Sequence, residues 1–242
     1  MESFDSVVRL EKDGPIALIT LNRPDRLNAF NVAMRDQLFE IVMAIRDDPT
    51  IDAAVLCGSG KGFCAGADLT EFGTDPPVLR KRRVRLQRDL WEEIRRMTKP
   101  IAAALHGFSV GSGLEMAMLC DFRFAAPGTQ LALPEAQLGM IPAAGGTQSL
   151  PRLVHHGLAL DFALGGHRIT AEEGYRLKMI SRIVPREELI QFTVDYMKKL
   201  VEHNANSSKV IKSLITNGLE MSLSEGIARE RVLVARTWNK HK

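Results

Sequence analysis

Two stretches of this 242-residue chain share one layout: a short run of small apolar residues, a glycine-rich turn, and a segment of helical character. The first is "DAAVLCGSGKGFCAGADL" at 52–69 and the second is "PIAAALHGFSVGSGLEMAM" at 100–118. Short apolar runs that end in glycines read as buried strands. Two such strands, each leading through a turn towards a helix, point to an α/β core.

The rest of the chain fits that core. "SVVRLEKDGPIALITLN" gives two β-branched runs joined by a Gly-Pro turn, hence a hairpin. "NVAMRDQLFEIVMAIRDD" puts Met34, Leu38, Ile41, Val42 and Ile45 on one helical face. "DFRFAAPGTQLALPE" suggests two more short strands around a Pro-Gly turn, and from about residue 144 the chain reads as mostly helical. Among the late helices, Ile190, Phe192, Met197, Leu200, Ile211, Leu214, Ile215, Val232 and Val234 are too many apolar residues for all to face solvent. Some are expected on the core and the rest against neighbouring subunits.

Composition excludes several classes. Apolar residues are 45% and charged residues 25% of the chain, as in ordinary globular proteins. The start, "MESFDSVVRLEKDG", is acidic and lacks a long apolar run, so neither a secretory signal nor a membrane anchor is expected. Cys57, Cys64 and Cys120 are odd in number and form no C-x-x-C pair. They fit a reducing cytoplasm rather than a disulfide framework or a zinc site. The net charge of +3 names no partner. Residues 80–99 carry nine Lys or Arg against Asp89, Glu92 and Glu93. A solvated amphipathic helix with Leu86, Leu90, Ile94 and Met97 inward explains them; contact with phosphates or nucleic acid is the alternative.

Three motifs compete for the glycine-rich turns. A P-loop needs Ser or Thr after its Lys, and Gly62 follows Lys61. A dinucleotide fingerprint needs a third glycine where Met116 stands. Gly107-x-Ser109-x-Gly111 matches the nucleophile elbow of a serine hydrolase, with histidines downstream, but Gly111-Ser112-Gly113 follows where a rigid helix should begin. The fourth possibility uses both turns together. Each can present a backbone N–H to one carbonyl oxygen, making an oxyanion hole, with Glu115 just after the second turn and Glu135 twenty residues on. Two carboxylates sharing an apolar site have their titrations pushed apart, so that one is a base and the other an acid. Glu115 as a solvated helical residue and Glu135 as a helix-start residue are the plain alternatives.

"NRPDRLNAF", "GFCAGADL", "KPIAAALHGFSVGSGLEMAMLCDFRFAA", "LPEAQLGMIPAAGGTQSLPRLV" and "HRITAEEGYRLKMISRIVP" occur in that order. Over roughly residues 5–235 the chain resembles the enoyl-CoA hydratase/isomerase (crotonase) family. The resemblance implies a spiral of ββα units over 1–185 that carries an acyl-CoA site. A helical region at 186–242 would follow, serving oligomerisation and as a lid, and shorter than in many relatives. It implies a homotrimer or a dimer of trimers, no metal, and no cofactor beyond the CoA of the substrate. Neither membrane nor nucleic acid is an expected partner.

Carried onto this sequence, the oxyanion donors are the N–H groups of Ala67 and Ser112, and the acid–base pair is Glu115 and Glu135. Because both glutamates are present, the resemblance is most specific to the hydratases, which add water to a 2-enoyl-CoA to give a 3-hydroxyacyl-CoA in fatty acid metabolism. Arg26, Leu27, Ala29, Ala65, Gly66, Asp68, Leu69, Thr70 and Gly111 are the implied CoA and substrate contacts, with Arg26 the cation for a phosphate. Ser112 and Ala143 stand where glycines are usual, and Thr70 where many members have Lys, which leaves the acyl group open. An enoyl-CoA isomerase, an RNA-binding relative using the 80–99 helix, and a serine hydrolase are the other readings.

Overall fold

The computed structural model describes residues 6–71 and 88–238. The hairpin is present as β1 (Val8–Asp13) and β2 (Ile16–Leu21), antiparallel and paired Val8 to Leu21. Helix α1 (Val32–Asp47) follows, started by Asn31, whose side chain accepts the Met34 N–H at 2.9 Å. It buries Met34, Leu38, Val42 and Ile45, with Ile41 partly covered at the core's edge. The apolar runs are β3 (Ala53–Gly58) and β4 (Ile101–Leu105), and every residue of both is buried.

These strands are apolar throughout because both faces of their sheet are covered. The sheet has the order β1-β2-β3-β4-β6-β9, where β6 is Phe122–Ala125 and β9 is Arg182–Ile183; beyond the hairpin all its pairs are parallel. Ala54, Leu56, Ala103 and Leu105 face a core shared with α1. Ala53, Val55, Cys57, Ala102 and Ala104 face the opposite way, against Leu189, Val194, Met197 and Val201 of a late helix, α7 (Leu189–Glu202).

A second, smaller sheet joins β5 (Phe108–Val110), β7 (Gln130–Ala132) and β8 (Arg168–Thr170). The chain passes from β4 to β5 at Gly107, which has φ +62; a Cβ there would lie 2.1 Å from the Lys61 carbonyl oxygen. The same step recurs. β4 leads to β5, β6 leads to β7, and β3 leads to Cys64, which bridges to Ser109 on β5. Each unit places its first strand in the large sheet and its second in the small one, then turns towards helical structure. The result is a spiral of ββα units. The two strands expected around the Pro-Gly turn therefore belong to different sheets rather than to each other.

Helix α2 (Leu90–Arg96) buries Leu90 and Ile94, and Met97 after it is buried too. Residues 80–87 of the basic stretch, Leu86 among them, lie outside the described residues. The later helices are α3 (Ser112–Leu119), α4 (Gly146–Leu153), α5 (His156–Gly165), α6 (Ala171–Arg176), α8 (Ala205–Gly218) and α9 (Leu223–Trp238). Within this expected helical region, β8 and β9 are additions. They are three and two residues long, too short for a period, and exist because β7 and β6 offer edges.

Candidate active site

The two glycine-rich turns lie side by side. Cys64 and Ser109 form a parallel bridge, with the Cys64 N–H donated to Phe108 O (3.2 Å) and the Val110 N–H to Cys64 O (3.0 Å). Three residues further along each segment stand Ala67 and Ser112. Between them the backbones touch: a Cβ on Gly66 would be 3.0 Å from the Val110 carbonyl oxygen, and one on Gly111 would be 3.7 Å from Gly66 Cα.

Each turn also aims its donor. On the outer side of the first turn, Phe30 N–H bonds Gly66 O (2.8 Å) and Asp68 N–H bonds Phe30 O (2.9 Å), making a parallel bridge between Phe30 and Ala67. In that pattern the neighbours of Ala67 face Phe30, and the Ala67 N–H points to the opposite side. In the second turn Gly111, at φ +52 and ψ −126, caps α3 and is tied to β7 through its N–H to Ala132 O (2.9 Å). Ser112 is the first residue of that helix, where an N–H has no intrahelical acceptor. Two outward N–H groups with one positive helix end suit a developing oxyanion.

Glu115 lies in the first turn of α3 and is 1% exposed. The plain reading as a solvated helical residue does not hold. Its Oε1 accepts two backbone bonds, from Ala144 N–H (2.9 Å) and Gly146 N–H (2.8 Å), where the 143–146 turn begins α4. Two such donors favour the carboxylate form. Glu135 opens a short 3-10 helix, Glu135–Leu138, and is half-buried beside the second turn. A Cβ on Gly111 would approach its Oε1 to 2.8 Å, and its Oε2 is buried without a hydrogen-bond partner among the described residues. Burial lifts the Glu135 carboxyl above the ordinary range, and the nearby charge of Glu115 lifts it further. The two carboxyls thus differ in setting: Glu115 is bonded by two backbone donors, and Glu135 is inclined to keep its proton.

Ser109 is fully buried in the middle of β5, paired with Leu131, and its Oγ has no partner among the described residues. An elbow nucleophile sits exposed on the tight turn itself. Here the positive φ belongs to Gly111, two residues later. Among the described residues no group of three or more His, Cys, Asp or Glu is placed to hold a metal ion.

The implied CoA contacts come together on two neighbouring segments. Arg26 ends a 3-10 helix, Pro24–Arg26, and is exposed; Leu27 beside it is also exposed. The Ala65 N–H bonds Leu27 O (3.1 Å), which sets the stretch 26–29 against 65–70. Ala29 is partly covered, and Leu69 and Thr70 are exposed in the 3-10 helix Leu69–Glu71. The continuation expected as a helix lies outside the described residues. Asp68 turns inward: its carboxylate accepts the Thr70 hydroxyl (2.6 Å) and pairs with Arg23 (3.0 Å), and both hold it below the usual carboxylate range.

Sequence reasoning passed over Arg23, Asn28 and the backbone donors of Ala144 and Gly146. Asn28 offered a signal, since Asn is favoured in left-handed backbone and this one sits at φ +54. The backbone donors offered none in their side chains.

Residues 11–242 match the sequence profile of the enoyl-CoA hydratase/isomerase family. A mitochondrial enoyl-CoA hydratase from Pongo abelii is 34% identical over 94% of this chain and 78% of its own length. The 2,3-dehydroadipyl-CoA hydratase of Escherichia coli is also 34% identical, over 94% of this chain and 89% of its own. A crystal structure of enoyl-CoA hydratase from Bacillus anthracis superposes with a TM-score of 0.88 at 30% identity, covering 93% of this chain and 88% of that one.

Proposed function

The chain belongs to the enoyl-CoA hydratase/isomerase family, and from that premise we propose that it hydrates a 2-enoyl-CoA thioester to a 3-hydroxyacyl-CoA, or runs the reverse dehydration. The observation that carries this reading is the pair of glutamates, one bonded by two backbone N–H groups and one half-buried, beside two adjoining N–H turns. The thioester carbonyl oxygen sits between Ala67 N–H and Ser112 N–H, which take up the negative charge as the enolate develops. One water lies between the carboxylates. Glu115 takes its proton as the oxygen adds to C3, and Glu135 gives a proton to C2. Proton return from Glu115 to Glu135 restores the starting pair, so the cycle balances with water as the only co-reactant. These steps call for no metal and no cofactor.

In this reading Arg26, Leu27, Leu69 and Thr70, all exposed, contact the CoA handle together with Ala29, Ala65, Gly66, Asp68 and Gly111. The unpaired, buried thiols of Cys57, Cys64 and Cys120 support a reducing compartment, and the cytoplasm is the simplest such site. No helix among the described residues is long and apolar enough to cross a membrane. The C-terminal helices support a homotrimer or a dimer of trimers. Ile211 and Ile215 on α8, Leu219 just after it, and Val232 and Val234 on α9 are all at least 50% exposed.

The test is a panel of 2-enoyl-CoA thioesters with straight, branched, cyclic and dicarboxylic acyl groups, followed by loss of the conjugated enoyl absorbance. Turnover on at least one, with a 3-hydroxyacyl-CoA as product, is expected. Shift of the double bond without water uptake would instead make the protein an isomerase.

A further inference from the structure

We propose that Asn28 is a positioning residue that holds the first oxyanion donor in register, by clasping the 59–62 turn; this rests on the hydratase reading above. Asn28 is fully buried, and the conformation of its amide follows from its partners. Oδ1 accepts the Arg23 N–H at 2.8 Å, while Nδ2 donates to the carbonyls of Ser59 (2.8 Å) and Gly62 (2.9 Å). One side chain therefore joins the 23–28 loop to both ends of the turn that follows β3.

The opposite side of that turn is held by the second glycine-rich segment. His106 Nε2 bonds Gly60 O at 3.0 Å, and the Phe63 N–H bonds His106 O at 2.9 Å. Ala67 hangs from this arrangement. Its direction is set by the bridge to Phe30, two residues after Asn28, whereas Ser112 is held in addition by α3 and by the Gly111 bond to Ala132. If the 23–30 loop slips against the turn, the Ala67 N–H moves relative to the Ser112 N–H. An oxyanion hole depends steeply on that separation. Asn28 touches neither substrate nor reacting atoms and acts through Ala67.

A different role would be purely conformational: Leu27 and Asn28 both have positive φ, and Asn tolerates this better than most residues. Glycine tolerates it better still and lacks the amide. Asn28→Gly therefore separates backbone from clasp. Asn28→Asp keeps the acceptor for Arg23 and removes both donors, and it carries the same test where the glycine variant fails to fold.

Hydrogen exchange is measured across residues 62–68, together with kcat, KM, the affinity for acetyl-CoA, and the absorbance of acetoacetyl-CoA bound as its enolate. Both variants are expected to exchange this segment about 10-fold faster. Their kcat should fall about 10- to 100-fold with KM within about 3-fold, the scale of a small misplacement at a reacting centre. The enolate band should weaken in parallel while acetyl-CoA still binds. Unchanged exchange overturns the clasp. Faster exchange with wild-type kcat and a wild-type enolate band overturns its link to the chemistry. A wild-type protein with neither turnover nor enolate band instead sinks the hydratase reading, and the exchange measurement still decides whether Asn28 holds the turn.

Discussion

Glu115 and Glu135 are the same functional group in different surroundings, and their substitution should separate the two settings. Glu115→Gln and Glu135→Gln are each expected to fold and to lose hydration by about 10²- to 10⁴-fold, the usual contribution of a positioned acid or base. Near wild-type turnover of a 2-enoyl-CoA by both variants would remove the two-carboxylate mechanism. Their stabilities should differ in a way that pH reveals. The folded-state pKa of Glu135 is raised, so its contribution is fully present below the unfolded value and is lost as pH rises through the folded one. Glu135→Gln has no such loss. It should melt with the wild type in acid and above it at pH 8, by thermal melts across that range; a gap that shrinks as pH rises would contradict the assigned burial. Glu115 and Glu135 could be singled out in the sequence only through the resemblance to the family, because their placement after a glycine turn and after a strand and proline left the plain readings open. The Ala144 and Gly146 N–H groups that support Glu115 were not legible there, since a backbone donor leaves no trace in side-chain chemistry.

At the level of elements, α3 carries Glu115 at its start and rests on a buried cation at its end. Arg123 is buried, and burial pulls its pKa down, yet it donates to Cys120 O (2.5 Å) and Met179 O (2.6 Å), with Ala117 O at 3.4 Å. A cation at a helix C-terminus also meets the negative end of the dipole. Arg123→Met should remove the donor to Cys120 O and Met179 O and destabilise the fold by about 2–3 kcal/mol, read by denaturant unfolding. A cost near zero would mean that the guanidinium is not what holds the end of α3. Neither this cap nor the pairing of strands beyond the β1–β2 hairpin was visible from the sequence. The run "DFRFAA" shows a strand, and nothing in it says that Arg123 turns inward while Phe124 packs on α7. Helix α1 was legible almost residue by residue because its apolar spacing is local, and β9 was not because only its neighbour β6 makes it a strand.

The whole molecule leaves one surface unfinished. Helix α7 completes the large sheet's second core, but α8 has no buried residue, and Ile211, Ile215 and Leu219 are 56%, 63% and 79% exposed. Leu200, Ile211 and Ile215 also line an open cavity of about 460 Å³ against Phe122 and Pro100. Large apolar residues clustered on one face of a monomer mark an association surface, and closed symmetry lets identical chains cover one another's patches. Polar contacts of α8 such as Lys209 to Asp52 (2.7 Å) and Lys212 to Asp121 (2.7 Å) fasten it to its own core, while Ile211 and Ile215 stay exposed. Light scattering at micromolar concentration should therefore give three or six times the mass of one chain. Ile215→Asp should shift the protein towards smaller species and lower its melting temperature, because burying an unpaired carboxylate at a subunit contact is costly. A wild-type monomer under these conditions, or an Ile215→Asp variant with unchanged mass, would mean that α8 is not where the copies meet.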